Sequence, residues 1–431
     1  MNRTARALAL AAVLAAPLAH AQRVISISGA NFTPIPLAVA APLSDAASRE
    51  DAVKLDEALL FDLTACGLFQ VLDRKGFLAD PKEGMSAASI KFNRWTDVGA
   101  DTLAKVQVQR DRGQLKVELR LFTVAAGKEE MKASEARDPK DVRRIAHALA
   151  DAIYNHYTRE PGPFQSRIAF ARKSASGKDV WMADWDGHGA SPVVQGGLNI
   201  LPTVTPDGAG VAFTSYRRGR PDLFAQRAGG DAQLLVSEGQ MATGVAYSPD
   251  GRQIAYSVAS GESSQVWVAN ADGSSPRPVT DSPYSINTSP SWSPDGKRLA
   301  FVSNRGGSPQ IYVMAAAGGD ARRLTFQGTY NQTPDWSPRG DIVAFTARDE
   351  RNAFDLFTVN VETGKIARLT QDSGNNEEPT FSPNGRMILF TSTRRGAPEL
   401  WVMTWDGQNQ LPLSMDRGTY STPDWGPNPQ R

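Results

Sequence analysis

Two patterns of apolar and polar residues divide the chain near residue 160. Before that point, helix-like and strand-like stretches are mixed. Residues 23–28 (RVISIS) alternate polar and apolar positions, and 35–40 (IPLAVA) form an apolar run between Pro34 and Pro42; both predict strands. A helix is expected from near Ser44 or Asp45, with Leu55, Leu59 and Leu63 on one stripe and Gly67 as the residue that ends it. A short strand follows at 69–72. Residues 103–109 and 114–123 alternate about Asp111-Arg112-Gly113, a hairpin signal. A last helix should begin at Asp138, with Pro139 in its first turn and Val142, Ile145, Leu149 and Ile153 on one face. These elements predict an α/β domain over 22–160, followed by a stiff linker at 161–163 inside Glu160-Pro161-Gly162-Pro163.

From residue 164 to 431 one phrase governs: a hydrophobe, Ser or a relative, Pro, Asp or a substitute, then Gly. It appears as VTPDG, YSPDG, WSPDG, WSPRG, FSPNG and a truncated WGPN, with prolines at 206, 249, 294, 338, 383 and 427. The period is 43 to 45 residues, the length of a four-stranded propeller blade. Within each period come strands such as 299–303 and 310–314, then a tight turn, then a short strand such as 322–325. The tight turns (Asp186-Gly187, Gly229-Gly230, Asp272-Gly273, Gly318-Gly319, Thr363-Gly364, Asp406-Gly407) recur once per unit and can supply the positive φ that a hairpin needs. Counting from the proline turns leaves three strands at the front, in 167–194, and one at the back, 422–425. An unpaired edge invites fraying, so the expectation is a six-bladed β-propeller whose last blade is closed by the C-terminal strand.

Composition changes this picture little. The net charge of +1 predicts neither nucleic acid nor an anionic membrane as the main partner. Residues 1–21 read as a secretory signal, with Arg3 and Arg6, an apolar run at 7–18, and Ala19-His20-Ala21 as the cleavage site; Gln22 would then be the first mature residue. That run is too short to span a bilayer, and no later stretch is long enough, so no membrane insertion is expected. Cys66 is the single cysteine, which rules out a disulfide within one chain, and it lies on the apolar stripe as a small buried hydrophobe.

Signs of catalysis are sparse. There is no G-x-S-x-G elbow, phosphate-binding glycine loop or zinc-type Cys/His set. His147 and His156 fall on opposite faces of one helix, and His188 follows a hairpin turn. The expectation is a protein that is not an enzyme and that takes no cofactor or metal. Propeller geometry offers a binding face instead, because the loops leaving the second and fourth strands share one side of the ring. Three residues before the inner-strand proline, four blades carry Asn: Asn199, Asn287, Asn331 and Asn376; Met241 and Tyr420 stand at this level in the other two. With Thr288, Gln332 and Glu377 beside them, these suggest a polar ring at the channel mouth, although Asn also suits a turn before a strand. Ten basic residues, among them Arg172, Arg217, Arg305 and Arg394, fall in loops on the same side, in a pattern that suggests steering of a partner. Two other readings are a secreted hydrolase or lyase, which would have to rely on Glu377 and Glu378, and a carbohydrate-binding propeller.

The opening RVISISGANFTPIPLAV, the LTACGLFQVLD stretch at 63–73 and the six repeats resemble the TolB family, periplasmic propeller proteins of the Tol-Pal envelope system of Gram-negative bacteria. The departures are Cys66 for a usual Ser, Thr243-Gly244-Val245 without the proline of its sister repeats, and Val204 for an aromatic. The resemblance implies a monomeric periplasmic binding protein acting in outer-membrane integrity and cell division. Its channel face would receive the lipoprotein Pal, or colicin peptides that mimic it, at Met241, Gly244, Asn287, Thr288, Asn331, Gln332, Asn376, Glu377 and Tyr420. The first mature segment, Gln22, Arg23, Val24, Ile25, Ser26, Ile27, Ser28 and on to Phe32, would bind TolA by adding a strand.

Overall fold

A computed structural model describes residues 32–78, 80 and 83–428. The leader and the strand expected at 23–28, and with them Gln22 to Ser28 of the proposed TolA segment, lie outside this range. Phe32 lies within it and packs on the main core.

The N-terminal domain is one mixed sheet with helices. Its elements are β1 (Ile35–Val39), β2 (Leu43–Ser44), α1 (Arg49–Ala65), β3 (Phe69–Val71), α2 (Phe92–Asp97), β4 (Thr102–Asp111), β5 (Gln114–Thr123), β6 (Lys128–Arg137) and α3 (Val142–Thr158). The sheet order is β3-β1-β4-β5-β6, with β1 parallel to both neighbours and β2 parallel to the end of β4. The apolar run of β1 has a direct cause in this placement. Leu37 and Val39 enter the core formed with α1 and α3, while Ala38 and Ala40 enter a second core around Trp95, so the strand is buried on both faces. Helices α1 and α3 fall close to where the pattern placed them, α2 was not anticipated, and Gly67 takes φ +68° after α1. Strand β6 was not anticipated. Its sequence KEEMKASEAR shows only Met131 and Ala133 to the core, and charged side chains fill the rest of an edge strand.

The repeat folds into six four-stranded antiparallel sheets arranged as a propeller. Blades 1 to 5 span 199–236, 241–278, 287–323, 331–368 and 376–412. Blade 6 is built from the last strand, Tyr420–Trp425, on Arg167–Ser174, Gly177–Asp184 and Ser191–Val194, which is the closure expected from the strand count. The Ser-Pro-Asp-Gly phrase is explained by its own hydrogen bonds. In blade 2 the Ser248 hydroxyl donates to Asp250 at 2.6 Å and accepts from the Gln253 amide at 2.9 Å, while Gly251 takes φ +68°. The same bonds recur at Ser293 and Asp295 and, with Asn for Asp, at Ser382 and Asn384.

These turns and the tight hairpins share one side of the ring, the turn face, and the N-terminal domain sits on it. Among the described residues, every hydrogen bond between 32–163 and the blades ends there. Asn409 donates to the Ala65 carbonyl at 3.1 Å, Asn384 to that of Pro161 at 3.1 Å and Asn428 to that of Gly162 at 2.9 Å. Glu160, just before the expected linker, takes both Arg386 (2.8 Å) and Arg339 (3.2 Å), so the chain is clipped to blades 4 and 5 there and to Asn428, past blade 6, at Gly162. The apolar part of the seam is the largest core of the molecule. It joins Leu55, Leu59, Ile145 and Leu149 to Trp185, Trp425 and Leu400. Trp185 and Trp425 stack with ring centroids 5.7 Å apart.

Inside this seam is a buried polar cluster. His147 Nδ1 lies 2.7 Å from Asp62, Trp185 Nε1 donates to the same carboxylate at 3.1 Å, and His147 Nε2 lies 3.5 Å from Asp186, which also holds Arg143. The α3 histidine thus sits between Asp62, which itself binds a propeller tryptophan, and a propeller aspartate.

Candidate binding site at the channel mouth

The opposite side of the ring, the loop face, carries the open mouth of the channel. Each inner strand begins in ladder register and then breaks it: between Ile200 and Thr203, Thr243 and Ala246, Thr288 and Ser291, Gln332 and Asp335, Glu377 and Thr380, and Ser421 and Asp424. One residue in each break takes a left-handed conformation: Leu201, Gly244, Ser289, Thr333, Glu378 and Thr422, with φ from +48° to +65°. For the β-branched Thr333 and Thr422 this is a strained state, which persists only where the surroundings over-determine it. Second-strand hydroxyls supply part of that constraint. Thr214 accepts from the Gly244 amide at 3.1 Å, Ser257 from Ser289 at 3.2 Å and Thr346 from Glu378 at 3.0 Å. The bulges turn six backbone corners, five of them followed by proline, into the wall of a recess of about 200 Å³.

The floor of the recess is Asp335 and Asp424, which also line the funnel on the turn face. Each carboxylate ties one blade to the next. Asp335 accepts from the Phe381 amide at 2.7 Å and from Ser291 at 3.2 Å, and Asp424 accepts from the Val204 amide at 2.8 Å. Burial pushes Asp335 up to about 6 and Asp424 up to about 7, with these amide donors opposing the rise. Near neutral pH the waist therefore carries less negative charge than its composition suggests. Glu378 is committed too, accepting from Thr391 at 2.9 Å and from the Thr422 amide at 2.5 Å.

Of the residues expected on this face, Gly244 and Thr288 line the recess, and Met241, at the start of the strand that carries Gly244, is 39% exposed without lining it. Gln332 and Glu377 lie half-buried beside the bulges without lining it. The expectation of a ring of Asn amides and the Tyr420 hydroxyl open to a ligand is corrected. Asn287, Asn331, Asn376 and Tyr420 are buried, and the physical reason is that each caps the start of its own inner strand. Asn287 donates to Gln265 at 3.0 Å and accepts from Arg305 at 2.9 Å; Asn376 accepts from Ser392 at 2.8 Å and Arg394 at 2.9 Å; Asn331 donates to Gln310 at 2.9 Å. The Tyr420 hydroxyl donates to the Asp416 carbonyl at 2.8 Å.

The same bonds revise the basic loops. Arg217, Arg305 and Arg394 lie flat over Phe224, Tyr312 and Trp401 at 4.3 to 5.2 Å and serve as lids on their blades. Arg218 and Arg220 pair with Asp222, Arg351 with Asp349, and Arg395 with Glu399. Much of the charge on this face is therefore answered within the fold. Leu201, Ser289, Thr333 and Thr422 were missed as lining residues, and Glu378 was weighed only as a catalytic carboxylate. Their signal was present as the residue before each inner-strand proline, but the left-handed turn that aims it at the channel leaves no mark in residue type.

His188 is half-buried beside Asp186, and its pKa is lowered, burial being the main cause. His156 lies 3.8 Å from Glu130. No three His, Cys, Asp or Glu side chains among the described residues are arranged to hold a metal ion. No described helix is long and apolar enough to cross a membrane.

Two family models cover this architecture. One, described as the TolB amino-terminal domain, matches residues 23–130, and one described as the TolB beta propeller domain matches 154–429. The chain belongs to the TolB family. The Tol-Pal system protein TolB of Myxococcus xanthus (strain DK1622) is 61% identical to this TolB family member over 407 residues, 94% of either chain. That of Anaeromyxobacter dehalogenans (strain 2CP-C) is 47% identical over 430 residues, 99% of either chain. The crystal structure of TolB from Acinetobacter baumannii shares the fold, with a TM-score of 0.79 at 23% identity over 92% of this chain and 97% of that one.

Proposed function

We propose that this TolB family member is a periplasmic interaction component of the Tol-Pal system and not an enzyme. Its channel mouth takes the lipoprotein Pal, or a colicin peptide in its place, and its first mature residues, Gln22 to Phe32, take TolA by strand addition. The observation that carries this reading is the division of the two faces. Among the described residues the N-terminal domain bonds to the turn face alone, and the loop face presents a recess walled by strained, rigidly held backbone corners. Rigid presentation lowers the ordering cost of binding. The proposed Pal surface centres on Gly244 and Thr288, with Ser289, Thr333 and Thr422 completing the wall and the exposed Met241 at the start of the strand that carries Gly244. Coupling between the two partners would run through the seam around His147, since it joins the domain that bears the first segment to the ring that bears the mouth; a few kcal/mol of differential binding suffices.

The hydrolase reading loses support because one carboxylate oxygen of Glu378, Oε2, is held by both the Thr391 hydroxyl and the Thr422 amide. The carbohydrate reading rested on amides that are buried. Deleting residues 22–32 is expected to abolish capture of TolA in a pull-down and leave capture of Pal intact. Loss of both would refute the separation of sites.

A further inference from the structure

Six repeats of one blade allow each to be judged against the other five. Every blade pairs an aromatic of its second strand with one of its third: Phe170 with Trp181, Phe213 with Phe224, Tyr256 with Trp267, Phe301 with Tyr312, Phe345 with Phe357, and Phe390 with Trp401. In five blades an arginine of the same blade lies over the third-strand ring, at 4.3 to 5.6 Å from its centroid. Blade 2 is the exception. Met241 stands where four sister blades have a capping Asn, and Ala259, its cross-strand partner, stands where three of those blades have Ser and the fourth has Ala347. The arginine two positions later is replaced by Gly261, and a short turn joins the strands. Among the described residues no guanidinium covers Trp267, which is left half-buried.

Beside it is a cleft whose lining includes Trp267, Pro278, Pro283, Gln265 and Asp281. Asp281 is exposed and makes no ion pair among the described residues. Tyr284, 87% exposed, and Ile286, 47% exposed, continue the apolar surface next to it. Arg277, the cation nearest in sequence, is turned away and donates to the Ala316 carbonyl of blade 3 at 3.0 Å.

We infer that this cleft on the flank of blade 2 is a docking site for an arginine side chain of a protein partner, one whose arginine is flanked by apolar residues. The guanidinium would lie on the Trp267 ring, where the sister blades carry their own, and pair with Asp281. An aromatic face and a free carboxylate together suit a planar cation better than an anion or a plain apolar group. The exposed Tyr284 and Ile286 take the neighbouring apolar residues, a composition typical of the centre of an interface. The site is separate from the channel mouth, and nothing in it depends on what the mouth binds.

The test uses the full chain labelled with 5-fluorotryptophan, the Trp267 signal being assigned by its loss in Trp267→Phe. Two capped tripeptides are titrated by fluorine NMR, acetyl-Leu-Arg-Leu-amide and its citrulline counterpart, which keeps the shape and loses the charge. The arginine peptide should shift the Trp267 resonance saturably, and the citrulline form should need about fivefold more peptide. Asp281→Asn should weaken the arginine peptide about threefold and leave the citrulline peptide unchanged. Equal shifts from both peptides, or shifts confined to other tryptophans, would overturn the assignment.

Discussion

Removing His147 tests the seam between the domains. The ring is 2% exposed, and burial alone would disfavour its charged form. The carboxylates of Asp62 and Asp186 on its two sides outweigh that and raise its pKa from 6.5 to about 9. A raised pKa in the folded state means that the stabilisation is fully present below about pH 6.5 and is lost as pH rises through about 9. Burial also pushes Asp62 up, to about 7, so both groups make stability fall as pH rises. His147→Ala leaves the buried Asp62 without its counter-charge and should cost about 3–5 kcal/mol at pH 7. The double change Asp62→Asn with His147→Ala should cost less than the sum of the two single changes, because the two groups act as one unit. Urea unfolding from pH 6 to 9.5 is the assay. The wild type should lose stability between pH 7 and 9, and the double variant should show a flatter profile. Additive costs with parallel pH profiles would refute the role assigned to the cluster.

Two further outcomes follow from local geometry. Gly244→Thr places a β-branched residue at φ +65°, as its sister blades do at 333 and 422, and its new Cβ meets Leu201 at an ordinary 3.8 Å; a loss of about 1–2 kcal/mol in urea unfolding is expected, and a loss beyond about 4 would show a clash that the structure lacks. Cys66 is buried, its thiol pushed up to about 12 by desolvation while it donates to the Leu63 carbonyl at 3.3 Å; the native protein should resist a thiol reagent at pH 8 and react fully once unfolded, whereas rapid native labelling would contradict that burial.

The parts of the fold that could be read from residue order are those in which side chains obey local rules. The Pro-Asp-Gly turn is made by its own Ser, Asp and Gly, so its repetition counted the blades and located the split one. Amphipathic α3 and the hairpin at Arg112-Gly113 are likewise local. What could not be read depends on partners far along the chain. Strand β6 shows few apolar residues because it is an edge, and the partners of His147 were hidden because Asp62 reaches it by packing of α1 on α3 and Asp186 only across the seam. The Asn positions were found correctly as a repeating level in the ring, but their orientation is decided by Ser392, Arg394 and their equivalents, which pull the amides inward. The recess residues beside them change identity from blade to blade, because the bulge requires a backbone shape and tolerates Leu, Gly, Ser, Thr or Glu.

The most direct test of the proposed function is a calorimetric titration of Pal into the wild type and into Thr288→Arg, a change in the recess wall that leaves the blade cores untouched. A bulky cation in a recess of about 200 Å³ should weaken Pal at least about tenfold, or about 1.4 kcal/mol, with the urea midpoint unchanged. Equal affinity for the two proteins would contradict the placement of the Pal site at the channel mouth.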